Sequence, residues 1–179
     1  MTAADLGASY RAGCPVGPAA LRAVTLSYWG FDGSPHTGKL VVDTSVVAQV
    51  QAIFKQLYDA RFPIRSIRPT SEFGGSDPAS MDADNTSGFN CRNAVASGPP
   101  RWSVHAYGKA IDINTVENPY VLNGTVTPAA GAPYVNRRNV RPGMAVTGSV
   151  VNAAFAASGW QWGGRWSDPD YQHFSANGG

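Results

Sequence analysis

The chain has 179 residues, 43% hydrophobic and 15% charged, with a formal net charge of +2. That length suits one domain with a real core. The small charge, with no Lys/Arg cluster interleaved with aromatics, argues against a nucleic-acid partner. No stretch approaches the ~20 apolar residues of a membrane span.

The loops are rich in Gly, Pro, Ser, Thr and Asn, which points to a rigid, loop-rich fold and not to disorder. The start "MTAADLGASYRAGC" has no basic end followed by an apolar run, so it does not read as a signal peptide. Export would then need a signal already removed, or another route. Residues 1–13 read as an N-terminal extension and 14–179 as the domain.

In chain order, "GPAALRAV" (17–24) begins as a short helix. "TLSYWGF" and "KLVVD", joined by the turn cluster "DGSPHTG", read as a hairpin over residues 25–43, with His36 at its exposed tip. Residues 44–62 form the best helix. Thr44 or Ser45 can cap it, and Val47, Val50, Ile53, Phe54, Leu57 and Tyr58 make one apolar stripe. "PIRSIRPT" (63–70) reads as a strand bounded by prolines. Residues 71–102 are a long irregular segment, of the kind that tends to be functional in a compact domain.

"GKAIDIN" (108–114) reads as a strand and 115–143 as mostly loop. "TGSVVNAAFAASG" (147–159) is a second helix, capped by Thr147 or Ser149 and ended by Gly159. Residues 160–175 close the chain as aromatic strand, turn and strand. The sum is an α+β single domain: a small antiparallel sheet, two main helices and long loops. A monomer is expected.

Cys14 and Cys91 are the two cysteines. Paired, they would stabilise the fold by roughly 4 kcal/mol in the chain-entropy model and favour an oxidising compartment. Two buried free thiols are the alternative.

The three histidines are His36, His105 and His173. His105 and Asp112 lie in "SVHAYGKAID". An offset of seven is about 10 Å along a helix, and on a straight strand it points to opposite faces. The two can meet only if the chain bends between them, and Tyr107-Gly108 is where it could. Two histidines and an aspartate can hold a catalytic zinc ion with a fourth position left for water. Asp170, three residues before His173, is a candidate proton acceptor, with Asp168 as a rival. Arg92 and Arg68 are candidates to face a developing oxyanion. The same residues also fit ordinary roles: a hydrogen-bonded His–Asp pair, a satisfied core histidine, a turn packed by Phe89.

"SVHAYGKAID" resembles the SxHxxGxAxD signature of the zinc D-Ala-D-Ala carboxypeptidase and L-alanyl-D-glutamate endopeptidase family, and "DYQH" resembles its D/E-x-x-H second half. "SYWGFDG", "HTGKLVV", "DNTSGFNCR", "AIDINTVENPYV" and "WGGRWSDPDYQHF" are similar to the actinobacterial and phage branch, so the resemblance runs from about Cys14 to the end. It implies a fold shared with the amino-terminal signalling domain of Hedgehog. It also implies one zinc ion on His105, Asp112 and His173, Asp170 as acid/base, and Arg92, or else Arg68, as the oxyanion arginine. Ser103 would support the ligand loop. The aromatics near 102, 107, 166 and 171 would shape the groove, so Ser103, Tyr107 and Trp166 are expected around the substrate. Thr115, where relatives carry proline, would only loosen a strand exit.

The implied activity is hydrolysis of a peptide bond in peptidoglycan stem peptides. The bond could be D-Ala-D-Ala at the stem terminus, L-Ala-D-Glu or another internal one. The owner could be a bacterium remodelling its wall or a phage using an endolysin, with action outside the cytoplasm in both cases. The rival readings are a zinc-stabilised cell-wall-binding module without turnover and a metal-free structural domain. No role is assigned to His36.

Overall fold

The computed structural model describes residues 1–95 and 99–176. Residues 96–98 of the long irregular segment, and the last three residues of the expected domain, lie outside the described residues. The chain begins with the short helix α1 (Ala3–Leu6), held by a capping box between Thr2 and Asp5. Leu6 is buried beside Phe89 and Cys91.

The helix expected over 17–24 is only a 3-10 turn, Pro18–Ala20. Strand β1 (Leu21–Trp29) starts at once, because Leu21 already pairs with Asp43 in an antiparallel ladder with β2 (Pro35–Asp43). The hairpin turn is therefore residues 30–34, closed by a 2.8 Å bond from the Gly30 amide to the Ser34 carbonyl. His36 is not at the tip but within β2, opposite Tyr28, on which its ring stacks; it also bonds Asp32 at 3.1 Å. In β2 the run Leu40, Val41, Val42 is buried on both faces. Leu40 and Val42 enter the main core, and Val41 joins the smaller cluster with Leu6, Leu21, Phe89 and Cys91.

Helix α2 (Val47–Asp59) buries Val50, Ile53, Phe54 and Leu57. Val47 and Tyr58 are half-buried at the stripe's edges. The cap is neither Thr44 nor Ser45: the Asp43 carboxylate accepts the Ser45 amide at 2.9 Å and starts a 3-10 turn ahead of the helix. Residues 63–70 are not a strand. They touch three neighbours at isolated points, the Ile64 amide on the Trp29 carbonyl (2.8 Å), the Ile67 carbonyl on the Lys39 amide (3.0 Å) and the Thr86 amide on the Ser66 carbonyl (2.9 Å), so no ladder propagates. The irregular segment contains a further helix, α3 (Asp77–Asp82), capped by the Ser76 hydroxyl with Pro78 in its first turn. Cys14 and Cys91 form a disulfide, with Cα atoms 5.9 Å apart.

Next come β3 (Ala110–Asp112), β4 (Tyr120–Leu122) and β5 (Thr125–Thr127). The last two form a hairpin where loop was expected. Helix α4 (Val150–Ala157), with N-cap Ser149, packs on α2. Strands β6 (Gln161–Trp162) and β7 (His173–Ser175) complete an antiparallel sheet in the order β3-β7-β6. Phe174 fixes this sheet to the core by stacking on Phe155, ring centroids 4.1 Å apart. The fold is α+β, with the β3-β7-β6 sheet seated on a core built by the β1–β2 hairpin, α2 and α4. None of its helices is long and apolar enough to cross a membrane, among the described residues.

Candidate active site

His105 lies on a 3-10 turn (Val104–Tyr107) that ends at Gly108 in the left-handed conformation, φ +66°. This is the bend the sequence required. A Cβ at Gly108 would lie 2.6 Å from the Asp43 amide nitrogen and 2.8 Å from a Leu21 methyl, so glycine is demanded by both conformation and space. The Gly108 carbonyl accepts the Asp43 amide at 2.9 Å, tying the bend to the end of β2. Ser103 opens the turn: it is buried, and its hydroxyl accepts the His105 amide at 3.3 Å.

Asp112 ends β3 and His173 begins β7, and the two are direct partners in the antiparallel register. Opposite residues of such a pair point to the same face. On its other edge Asp112 exchanges backbone bonds with Ser87 at 2.9 and 3.0 Å. Strand β3 is thus clamped from both sides.

The three side chains converge. His105 Nε2 is 3.1 Å from Asp112 Oδ2, His173 Nδ1 is 3.2 Å from Asp112 Oδ1, and the two ring nitrogens are 3.2 Å apart. All three residues are buried, and one ligand atom from each lies within 4.8 Å of the others. Four-coordinate zinc with bonds near 2.0–2.1 Å sets its ligand atoms about 3.3 Å apart, so the cluster could hold such an ion. His105 Nδ1 sits 2.7 Å from the Gly88 carbonyl. A carbonyl only accepts, so Nδ1 carries the proton and Nε2 offers a lone pair to the cluster. His173 Nε2, by contrast, is buried without a partner.

The electrostatics agree with a tightly coupled set. Burial works against ionising Asp112, but the two histidines overcome it and hold its carboxyl well below the usual range. Burial likewise opposes protonation of His105, yet Asp112 raises its pKa above the ordinary value. Asp170 stands apart. Burial pushes its carboxyl up to about 7, against the pull of His173. Its Oδ1 is shielded from solvent with no hydrogen-bond partner.

The cluster opens onto a groove of about 770 Å³ that Asp170, Arg92, Tyr107 and Trp166 also line. Trp166 packs on the His173 ring at 5.3 Å. Arg92 pairs with Asp77 at 2.9 Å. Arg68 is not part of the groove wall; it pairs with Glu72 at 2.8 Å and covers Phe73. Asp168 lines the groove, but its carboxylate accepts the Asn123 amide at 2.9 Å, a structural use, whereas Asp170 Oδ1 has no hydrogen-bond partner. His36 lies outside the site.

Sequence reasoning missed the Gly88 carbonyl, the Ser87 clamp and Asp77. "DNTSGFNCR" is more than a turn packed by Phe89. Asn85 bonds Ser66, Ser80 and Arg68, the Thr86 hydroxyl accepts the Asn114 amide, and Gly88 orients His105.

Residues 97–176 match the family model of D-alanyl-D-alanine carboxypeptidase. This bears out the family resemblance over the segment that carries His105, Asp112, Asp170 and His173. No curated protein and no solved structure matches the chain significantly. The chain is accordingly read as a peptidase with a candidate metal centre.

Proposed function

We propose that this protein is a zinc-dependent peptidase that hydrolyses a peptide bond in bacterial peptidoglycan stem peptides. One observation carries the reading: the buried ligand atoms of His105, Asp112 and His173 converge beside a carboxyl with a free oxygen, within the segment that matches a peptidase family. On the same reading the domain has the Hedgehog/DD-peptidase fold and works outside the cytoplasm. The Cys14–Cys91 disulfide supports an oxidising compartment.

His105, Asp112 and His173 would hold the metal. Bound there, zinc supplies Lewis acidity towards the scissile carbonyl and acidifies a water enough to attack at neutral pH. Asp170 accepts the proton of the attacking water and returns it to the leaving amine. Its free Oδ1 argues for turnover over mere binding. Arg92 directs positive charge towards the developing oxyanion, and Asp77 holds that guanidinium in place. Gly88 keeps His105 in the tautomer a metal needs.

The test is digestion of defined muropeptides, with products weighed by mass spectrometry, before and after chelation and after zinc is restored. Cleavage is expected to stop on chelation and return with zinc, and the product masses identify the bond. Unchanged cleavage by the metal-free protein would overturn the proposal.

A further inference from the structure

The β4–β5 hairpin forms part of the groove wall. Tyr120 pairs with Thr127 and Leu122 with Thr125, so these four side chains share one face of the hairpin. The same four line the groove. Val121 and Val126 point the other way and do not line it. Strand alternation has therefore turned one whole face of a small hairpin towards the metal ligands.

This face is fixed to the segment that bears Asp170. The Val121 amide bonds the Pro169 carbonyl at 2.9 Å, and the Tyr171 amide bonds the Pro119 carbonyl at 3.3 Å. The Asn123 amide bonds the Asp168 carboxylate at 2.9 Å. Asn123 and Gly124 both have positive φ, the signature of a tight two-residue hairpin turn. The wall cannot drift without moving the carboxyl that handles the proton.

The chemistry of the face is one-sided. It offers an aromatic ring, an isobutyl group and two threonines, with no charged side chain. The cations of the groove, Arg92 and Arg101, come from other segments. A charged substrate group pressed onto the hairpin would lose water and meet only the hydroxyls of Tyr120, Thr125 and Thr127, with no opposite charge on that face. An aliphatic group would gain apolar contact.

We propose that the β4–β5 face, through Tyr120 and Leu122, is the subsite for an uncharged aliphatic side chain next to the scissile bond. This assignment rests on the peptidase reading above. The occupant is the stem peptide itself, and the wall excludes peptides with an acidic or basic side chain at that position.

The test is a set of synthetic stem peptides that differ at one residue flanking the cleaved bond: alanine, aspartate or lysine. The zinc-loaded full chain, Leu122→Asp and Leu122→Lys are compared by kcat/KM. The natural protein should favour alanine over both charged residues by at least tenfold, on the scale that contacts in an apolar pocket allow. Leu122→Asp should shift the preference towards lysine by tenfold or more, and Leu122→Lys towards aspartate. Zinc content and the circular-dichroism spectrum should stay as in the natural chain, and Leu122→Ala, which adds no charge, provides a folded comparison. If zinc-dependent cleavage persists while both charged variants keep the natural preference, the wall assignment is overturned and the peptidase reading stands. If cleavage does not depend on zinc at all, it is the peptidase reading that fails.

Discussion

On the proposed mechanism, turnover depends most on Asp170. Burial raises its carboxyl to about 7, so the free protein would carry much of it protonated near neutrality. A nearby divalent cation favours the ionised form and draws that value down. A base works only when deprotonated, so kcat/KM should fall as pH drops through the Asp170 pKa, with the acid limb below neutrality. Asp170→Asn should lower kcat by roughly 10²–10⁴-fold and abolish that limb. Zinc content, read by metal analysis, should stay near that of the natural protein. Loss of the metal along with activity would make Asp170 a ligand and not a base. Gly108 gives a second expectation at this scale. Gly108→Ala places a methyl against the Asp43 amide and Leu21 at a positive φ. Strain and overpacking together should cost about 2–4 kcal/mol in urea unfolding. Because the bend sets His105, zinc affinity should fall as well.

Among the elements, α3 would link the irregular segment to catalysis on the proposed mechanism. Asp77 lies in its first turn and holds Arg92, which directly follows the disulfide-bonded Cys91. If Asp77 acts by aiming that guanidinium, Asp77→Asn should lower kcat roughly tenfold, or about 1.4 kcal/mol, with little change in KM. In an Arg92→Ala background the same change should do nothing further, and kinetics of the double mutant read this directly. Additive losses would mean that Asp77 acts by some path other than Arg92. The grouping of His105, Asp112 and His173 was legible in the sequence through the two motifs that resemble a family signature, since spacing alone also fits an ordinary hydrogen-bonded pair. Asp77 was not, since an ion pair across fifteen positions leaves no local pattern. The Gly88 carbonyl was hidden for another reason: every residue has one, and only the fold decides which faces His105. The β4–β5 hairpin was there to be read. "VLNGTV" sets Asn-Gly between alternating residues, a strong hairpin signal, but three-residue strands fall below the length at which alternation is convincing. The register that sets Asp112 opposite His173 joins strands sixty-one positions apart, and no local preference encodes it.

At the scale of the whole molecule, the loop after β3 is stitched to the rest by buried polar groups, and one of them makes stability depend on pH. Glu117 is buried next to Asp84, with Arg65 reaching both, at 3.2 Å to Asp84 and 3.7 Å to Glu117. Asp84 also accepts the Val116 amide at 2.9 Å. Burial first, and then the neighbouring Asp84, push the Glu117 carboxyl up to about 8 from an ordinary value near 4.5. The folded chain therefore holds a proton that the unfolded chain releases between those two values. A carboxyl raised in this way contributes its full stability below about pH 4.5 and loses it as pH climbs towards 8. That contribution is on the order of 3–5 kcal/mol across the window. Glu117→Gln keeps the shape and removes the titration. Urea unfolding at pH 5 and at pH 8.5 should show the natural protein weaker at the higher pH and the variant nearly level between the two. Arg137 makes the comparison specific to this pair: its guanidinium donates to the Glu117 carbonyl, the Asn118 side chain and the Ala145 carbonyl, bonds that the substitution leaves in place. An equal slope in both proteins would assign the alkaline loss to other groups and leave the Glu117–Asp84 contact without a role in it.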